Sequence, residues 1–364
     1  MKNAGEKDQR LPPWNPFEDW KHIDVPWIRV KISPEDLRRF TRRSNFWGLL
    51  QTLGFLALVT ATGALAYYAF LNRRWGWMAA ALYVHGTFYS FFGPALHELG
   101  HNTVFASRWL NVCFTTFFGL LNWAKNPHLY RLSHQGYHHR YTLYENSDGE
   151  DVPNYVNLRP RLIFDLFFRV LRIKALIHNL GRLFTLKPTS AGWRGRGYRL
   201  DNWERFILER ASDEQRRQVR RHAIASLVFV LAFSAAAIAA GHWFLIVLVP
   251  LAPFYGAGVL GFLTGLQQHA ACLANTPDFR LSCGSMRLDP LTSFLYWRME
   301  YHTEHHMFAA IPCYNLKAFR RFVDDQMPPL EPAVPRLFRV ARRCKEMWGS
   351  PARWREIHGR FKGL

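Results

Sequence analysis

The sequence predicts an all-α integral membrane protein, with four transmembrane helices in two hairpins and a helical cytoplasmic cap that carries clusters of histidine. Three observations predict it. The apolar residues of the 364-residue chain gather into four long blocks, Lys and Arg avoid the turns that pair those blocks, and histidines cluster where the blocks end.

In chain order, residues 1–45 are polar, carry ten Lys and Arg, and lack the short apolar core and cleavage site of a signal peptide. They are expected to be a cytoplasmic segment. The blocks at 46–70 and 76–96 follow, separated only by "LNRR" and Trp75. Each is long enough to cross a hydrocarbon core of about 30 Å, which takes roughly 20 helical residues. A second pair, 223–241 and 243–266, is joined around Gly241 and His242. The fourth block contains Gly and Pro, so a buried helix of a soluble protein is its other reading.

Charge placement orients the hairpins. Of the 47 Lys and Arg, nineteen lie in residues 125–222 and fifteen in 270–364, whereas the two presumed outer turns hold only Arg73 and Arg74. This is the positive-inside pattern, which puts both termini and the central region on the cytoplasmic side. The membrane domain is expected over 46–325, followed by a basic cytoplasmic segment over 326–364. Residues 157–184 mix arginine with Leu, Ile and Phe, as a helix lying in the membrane interface would, or one packed on the cap. The net charge of +20 suits anionic lipid headgroups. No nucleic-acid-binding motif accompanies it. The five cysteines form no CxxC pair and are expected as free thiols. No solenoid repeat or low-complexity tract is visible.

The chain has sixteen histidines. In "HELGH", His97 and His101 sit one helical turn apart on one face, so both imidazoles reach one ion. With Glu98 as general base this is the zinc-protease helix; the same residues also fit as one corner of a larger cage. In "YHTEHH", His302, His305 and His306 fall within an arc of roughly 100°. In "SHQGYHH", His134 and His139 would diverge by about 140° on a regular helix, unless Gly136 lets the chain bend. His269, in "GLQQHAAC" at the end of the fourth block, lies on the same side of the membrane as the three clusters. His22, His85, His178, His222, His242 and His358 read as ordinary partly buried polar residues, and His128 is ambiguous. Crowded neutral imidazoles make sense around a cation, since protonation would be mutually repulsive. Nine ligands overfill one zinc ion but suit two metals. Imidazole alone does not name the metal.

The boxes "HELGH", "HQGYHH" and "HTEHH", in this order between two apolar hairpins, resemble the membrane fatty acid desaturase family over roughly residues 60–325. Within that family the stretch from "QQHAAC" to "IPCYNL" is similar to a bacterial branch that includes the dihydrorhizobitoxine desaturase. The resemblance implies two iron ions held by His97, His101, His134, His138, His139, His269, His302, His305 and His306, with O2 as co-substrate. It implies a multi-pass protein of a bacterial inner membrane that puts a double bond into an alkyl or fatty acyl chain. No HPGG segment of a fused cytochrome b5 domain is present, so a separate ferredoxin-like or cytochrome b5-like donor would supply electrons. Aromatic side chains between the helices could line an apolar tunnel for the chain to be oxidised. Outer-sphere carboxylates would orient the histidines, and adjacency points to Glu98, Glu300 and Glu304, less to Asp148 and Asp151. A hydroxylase, a desaturase of an amino-acid-derived metabolite, and a zinc intramembrane protease using "HELGH" are the competing readings. The protease leaves seven histidines unused. A non-catalytic metal transporter would want polar residues within the crossings, and His85 and His242 are too few.

Overall fold

The computed structural model describes residues 14–168, 170–188, 197–256 and 258–362. Among these the chain is helical, and β-pairing is confined to isolated bridges such as Asn154 with Ala270.

Two of the four apolar blocks are single helices long and apolar enough to cross a membrane, Asn45–Leu71 and Asp213–Ala239, each of 27 residues. At 1.5 Å per residue each is about 40 Å long. Both start on a serine cap: Ser44 accepts from the Trp47 N–H, and Ser212 forms a capping box with Gln215. Their outward faces are apolar, with Phe46, Leu50, Leu53 and Leu65 on the first and Val228, Leu231 and Ile238 on the second exposed. A belt of that kind is a surface for lipid rather than water.

The other two blocks are broken, which the apolar run lengths do not reveal. The second divides into Trp75–Tyr89 and Phe92–Gly100. Pro94 has no N–H to give the Ser90 carbonyl four residues back, so the ladder slips and resumes with Ala95 N to Phe91 O. The fourth is a Leu245–Leu248 helix, a 3-10 turn at Ala252–Phe254 and a Val259–Gly265 helix. Pro250 and Pro253 remove donors, and Gly256 takes φ +107°. A Cβ on Gly256 would lie 2.3 Å from the Gly86 backbone, and one on Gly86 2.5 Å from the Tyr255 carbonyl. The break therefore docks against the second block through two glycines.

The 157–184 region is two helices, Pro160–Phe168 and Ile173–Phe184. Leu183 packs with Trp123 and Phe254, while Phe164, Phe168, Ile173 and Ile177 are exposed, so the segment is docked on one side and apolar on the other. All five cysteines are free thiols.

An aromatic core of Phe55, Phe92, Phe118 and Trp297 joins the Asn45–Leu71 helix to the Phe92–Gly100 and Arg108–Leu121 helices. Edge-on contacts such as Phe92–Phe118, 4.9 Å between centroids, tie it together. A second core, with Trp14, Trp203, Phe206, Val340 and Trp354, builds the cap. The histidines lie where the Phe92–Gly100 helix leaves the first core.

Candidate metal centre

Four pieces of chain build the centre. His97 lies in the last turn of the Phe92–Gly100 helix and His101 is its C-cap, with ring centroids 4.9 Å apart. His134–His138 is a π-helical turn: the His139 N–H reaches back five residues to the His134 carbonyl. That wider turn places residues five apart on nearly the same side, removing the divergence a regular helix would impose, and the His134 and His139 rings come within 4.6 Å. Gly136 faces outward with open space around it. On the His302–Met307 helix, His302 and His306 pair at 4.4 Å while His305 stands 6.3 Å from His302. His269 follows the 3-10 turn Leu266–Gln268.

The nine imidazoles sort into two groups. His97, His101, His134, His139 and His305 form one; His138, His269, His302 and His306 form the other; within each, the candidate ligand atoms lie within 4.8 Å of one another. Box two and box three therefore each serve both groups. All nine side chains are buried or nearly so.

The residues fit metal ions. Nε2 of His97, His101, His134 and His306 is buried without a hydrogen-bond partner, a costly arrangement unless a cation takes the lone pair. Two further Nε2 pairs face each other, His269 with His302 at 3.0 Å and His139 with His305 at 3.2 Å. Two nitrogens bound at about 2.1 Å and at right angles stand about 3.0 Å apart. Burial first, and then the neighbouring imidazoles, hold His97, His134, His139, His302, His305 and His306 well below the ordinary histidine range. Burial and Arg131 bring His101 to about 3, and burial brings His269 to about 4. These rings are neutral at physiological pH, the form that ligates. His138 differs: burial pulls its pKa down, but the Asp148 carboxylate outweighs that and pushes it up to about 9.

The other ring nitrogens show what orients each ligand. His97 Nδ1 lies 2.9 Å from Glu98 Oε1, His134 Nδ1 2.8 Å from Glu150 Oε1, and His138 Nδ1 2.8 Å from Asp148 Oδ2. His269 Nδ1 meets the Ser282 carbonyl at 2.9 Å and His306 Nδ1 the Thr142 hydroxyl at 3.0 Å. Glu98 also sits 3.6 Å from His305 Nδ1. A glutamate against the non-ligating nitrogens is an orienting partner, whereas a general base would face the open coordination position. That geometry removes the structural basis of the protease reading.

Of the carboxylates that adjacency suggested, Glu98 faces an imidazole and two others do not. Glu300 takes the Ser293 hydroxyl, and Glu304 takes Arg320 Nη1 at 2.9 Å and Ser285 Oγ at 2.5 Å. On a helix, adjacent residues point about 100° apart, so neighbours of a ligand face away from the metal. Asp148 is fully buried against His138, while Asp151 Oδ1 takes the Val152 N–H. Sequence reasoning missed Glu150, whose one signal was its place in the same "NSDGED" string, and Thr142 and Ser282, which gave none. Outside the two groups, His85 meets Thr62 and the Leu248 carbonyl, His242 meets Tyr67, and His128 rests against His222.

A family model described as fatty acid desaturase matches residues 75–337, which contain all nine histidines. No curated protein matches the chain.

Proposed function

The chain belongs to the fatty acid desaturase family, and on that premise we propose that it is a membrane di-iron oxidoreductase that uses O2 to introduce a double bond into an alkyl or fatty acyl chain. The observation that carries this reading is the convergence of two buried sets of imidazoles, with four orphaned Nε2 atoms among them.

His97, His101, His134, His139 and His305 would hold one iron, and His138, His269, His302 and His306 the other. When bound, the iron pair supplies O2 activation and the oxidising power to break unactivated C–H bonds. The protein's part is positional. Glu98, Glu150 and Asp148 take the Nδ1–H of their histidines, fixing the tautomer that leaves Nε2 free and making the ring more basic. The helix that bears His97 also bears Phe92, Leu96 and Leu99 of the aromatic core, so apolar packing reaches within one residue of a ligand. That wall excludes water from the ligands.

The membrane arrangement follows the charges. The four apolar blocks cross or enter the bilayer, two as whole helices and two as broken ones, and both termini lie with the basic cap on the cytoplasmic side of a bacterial inner membrane. Product analysis tests the reaction: membranes containing the chain, supplied with O2 and a reductant, should yield chains lacking two hydrogens. A hydroxylated product would move the assignment to a hydroxylase, and peptide cleavage without oxidation would overturn it.

A further inference from the structure

Desaturation needs more electrons than its substrate gives. Reducing O2 to two waters takes four; breaking two C–H bonds supplies two; the other two, with two protons, must come from outside. The chain's own surface shows where they could enter.

Behind the π-helical turn lies an open groove, and its walls include Trp20, His22, Tyr137, Arg140, Tyr141 and Arg210. Its floor is the outer face of the segment whose inner face carries His134, His138 and His139, so one helix thickness, about 10 Å, separates groove from ligands. The lining holds two arginines and a histidine and no carboxylate. Of the acids nearby, Asp24 is an exposed partner of Arg140 at 3.9 Å, and Asp213 and Glu214 pair with Arg216 and Arg217. Trp20 stands edge-on to Tyr137 and Tyr141, at 6.0 and 6.1 Å.

One continuous path runs inward from this groove. Trp20 Nε1–H donates to the Ser147 carbonyl at 3.2 Å; the next residue, Asp148, accepts from His138 Nδ1 at 2.8 Å. Lys21 N to Asn146 O and Ser147 Oγ to Lys21 O, at 2.8 and 2.7 Å, clamp the two segments together. A surface indole is thus joined to a metal-ligating imidazole through two hydrogen bonds and one peptide unit.

We propose that this groove is the docking surface for an acidic, soluble one-electron carrier protein, and that Trp20, Ser147 and Asp148 form the electron entry to the His138 group. It rests on the desaturase reading. Each docking would oxidise the carrier by one electron, delivered to the metal that the His138 group would hold; two dockings complete the balance. The arginines, of which Arg140 has the exposed Asp24 at 3.9 Å, attract an acidic face, and the aromatic floor supplies contact at its centre.

The test uses the full iron-loaded chain in neutral nanodiscs, with a plant-type [2Fe–2S] ferredoxin as probe. Binding of oxidised ferredoxin should be saturable and weaken with salt. Arg140→Glu with Arg210→Glu should weaken it by about 10-fold or more. Arg342→Glu with Arg343→Glu, on the exposed face of the Ala333–Trp348 helix, should leave it unchanged. Trp20→Leu should keep iron content but slow ferredoxin oxidation even at saturating ferredoxin, with reduction by dithionite unaffected. Absent saturable binding to the wild type, or equal binding by the groove double variant, overturns the proposal. So does finding that the groove reversal removes binding of short-chain phosphatidylglycerol while ferredoxin binds neither protein, which makes the groove a headgroup site. A chain that takes up no iron, or whose metal dithionite does not reduce, breaks the desaturase reading itself, a separate outcome.

Discussion

The two histidine groups are built from one residue type at one depth, yet they are held differently. In the five-histidine group, Glu98 and Glu150 face His97 and His134, and Glu98 approaches His305 as well. In the four-histidine group only His138 has a carboxylate; His269 has a carbonyl, His306 a hydroxyl, and His302 Nδ1 is buried without a partner. A carboxylate behind an imidazole makes it a stronger donor than a neutral oxygen does. The five-histidine group should therefore bind its ion more tightly, and the four-histidine group should keep a position free for a reacting molecule. Ligand type alone does not set a site; what stands behind each ligand does.

The largest effect should come from removing a ligand of the smaller group. His302→Ala is expected to lower iron from near two to near one per chain and to abolish substrate oxidation, while the five-histidine group keeps its ion. Retention of both irons and of activity would break the division into groups.

Next come the carboxylates. Asp148→Asn should cost roughly 10-fold to 100-fold in metal affinity at the four-histidine group, and Glu150→Gln a similar factor at the other. Chelator-release kinetics on each variant separates the two, because each change should speed one phase. A change in the same phase for both variants contradicts the assignment.

Proton competition should distinguish the groups too. In the metal-free chain the pKa of His138 is raised to about 9, so its extra stabilisation is present below the ordinary value near 6.5 and lost as pH rises through about 9. A metal must displace that proton. Uptake of Co2+ by the four-histidine group should tighten by up to about 10-fold per pH unit between pH 7 and 9, whereas at the five-histidine group, where the imidazoles are already neutral and burial pushes the Glu150 carboxyl up to about 7, the dependence should lie mainly below pH 7. Equal slopes for both groups would remove the role given to Asp148.

The smallest effect should come from Thr142→Val. His306 loses a neutral hydrogen bond worth about 1 kcal/mol, so affinity at its group should fall only about 5-fold. A loss as large as that of Asp148→Asn would mean that charge is not what separates the partners.

Much of the centre was legible because histidine spacing on short helices is a local property. His97 with His101, and His302 with His306, follow from i, i+4 alone, and His269 from its place at the end of an apolar block. Which histidines share a group was not legible. His305 leaves its box-mates for the first group, and the π-turn that carries His134 to His139 replaces a regular helix for reasons no spacing rule contains. The outer carboxylates were legible only in part: Glu98 and Asp148 were among the candidates and face His97 and His138, but Glu150 lies in a loop sixteen residues beyond its histidine, and Glu300 and Glu304 take Ser293 and Arg320 instead. In the membrane region run length located the four blocks. Where they break is decided by Pro94, Pro250, Pro253 and Gly256, residues visible in the sequence whose effect depends on what packs against the interruption.

Metal analysis joined to Mössbauer spectroscopy tests most directly whether one chain holds two inequivalent iron sites. Purified without oxygen in mild detergent, the protein should carry close to two irons per chain and give two overlapping ferrous signals of equal area. One zinc per chain with negligible iron, or a single iron environment at one ion per chain, would contradict it.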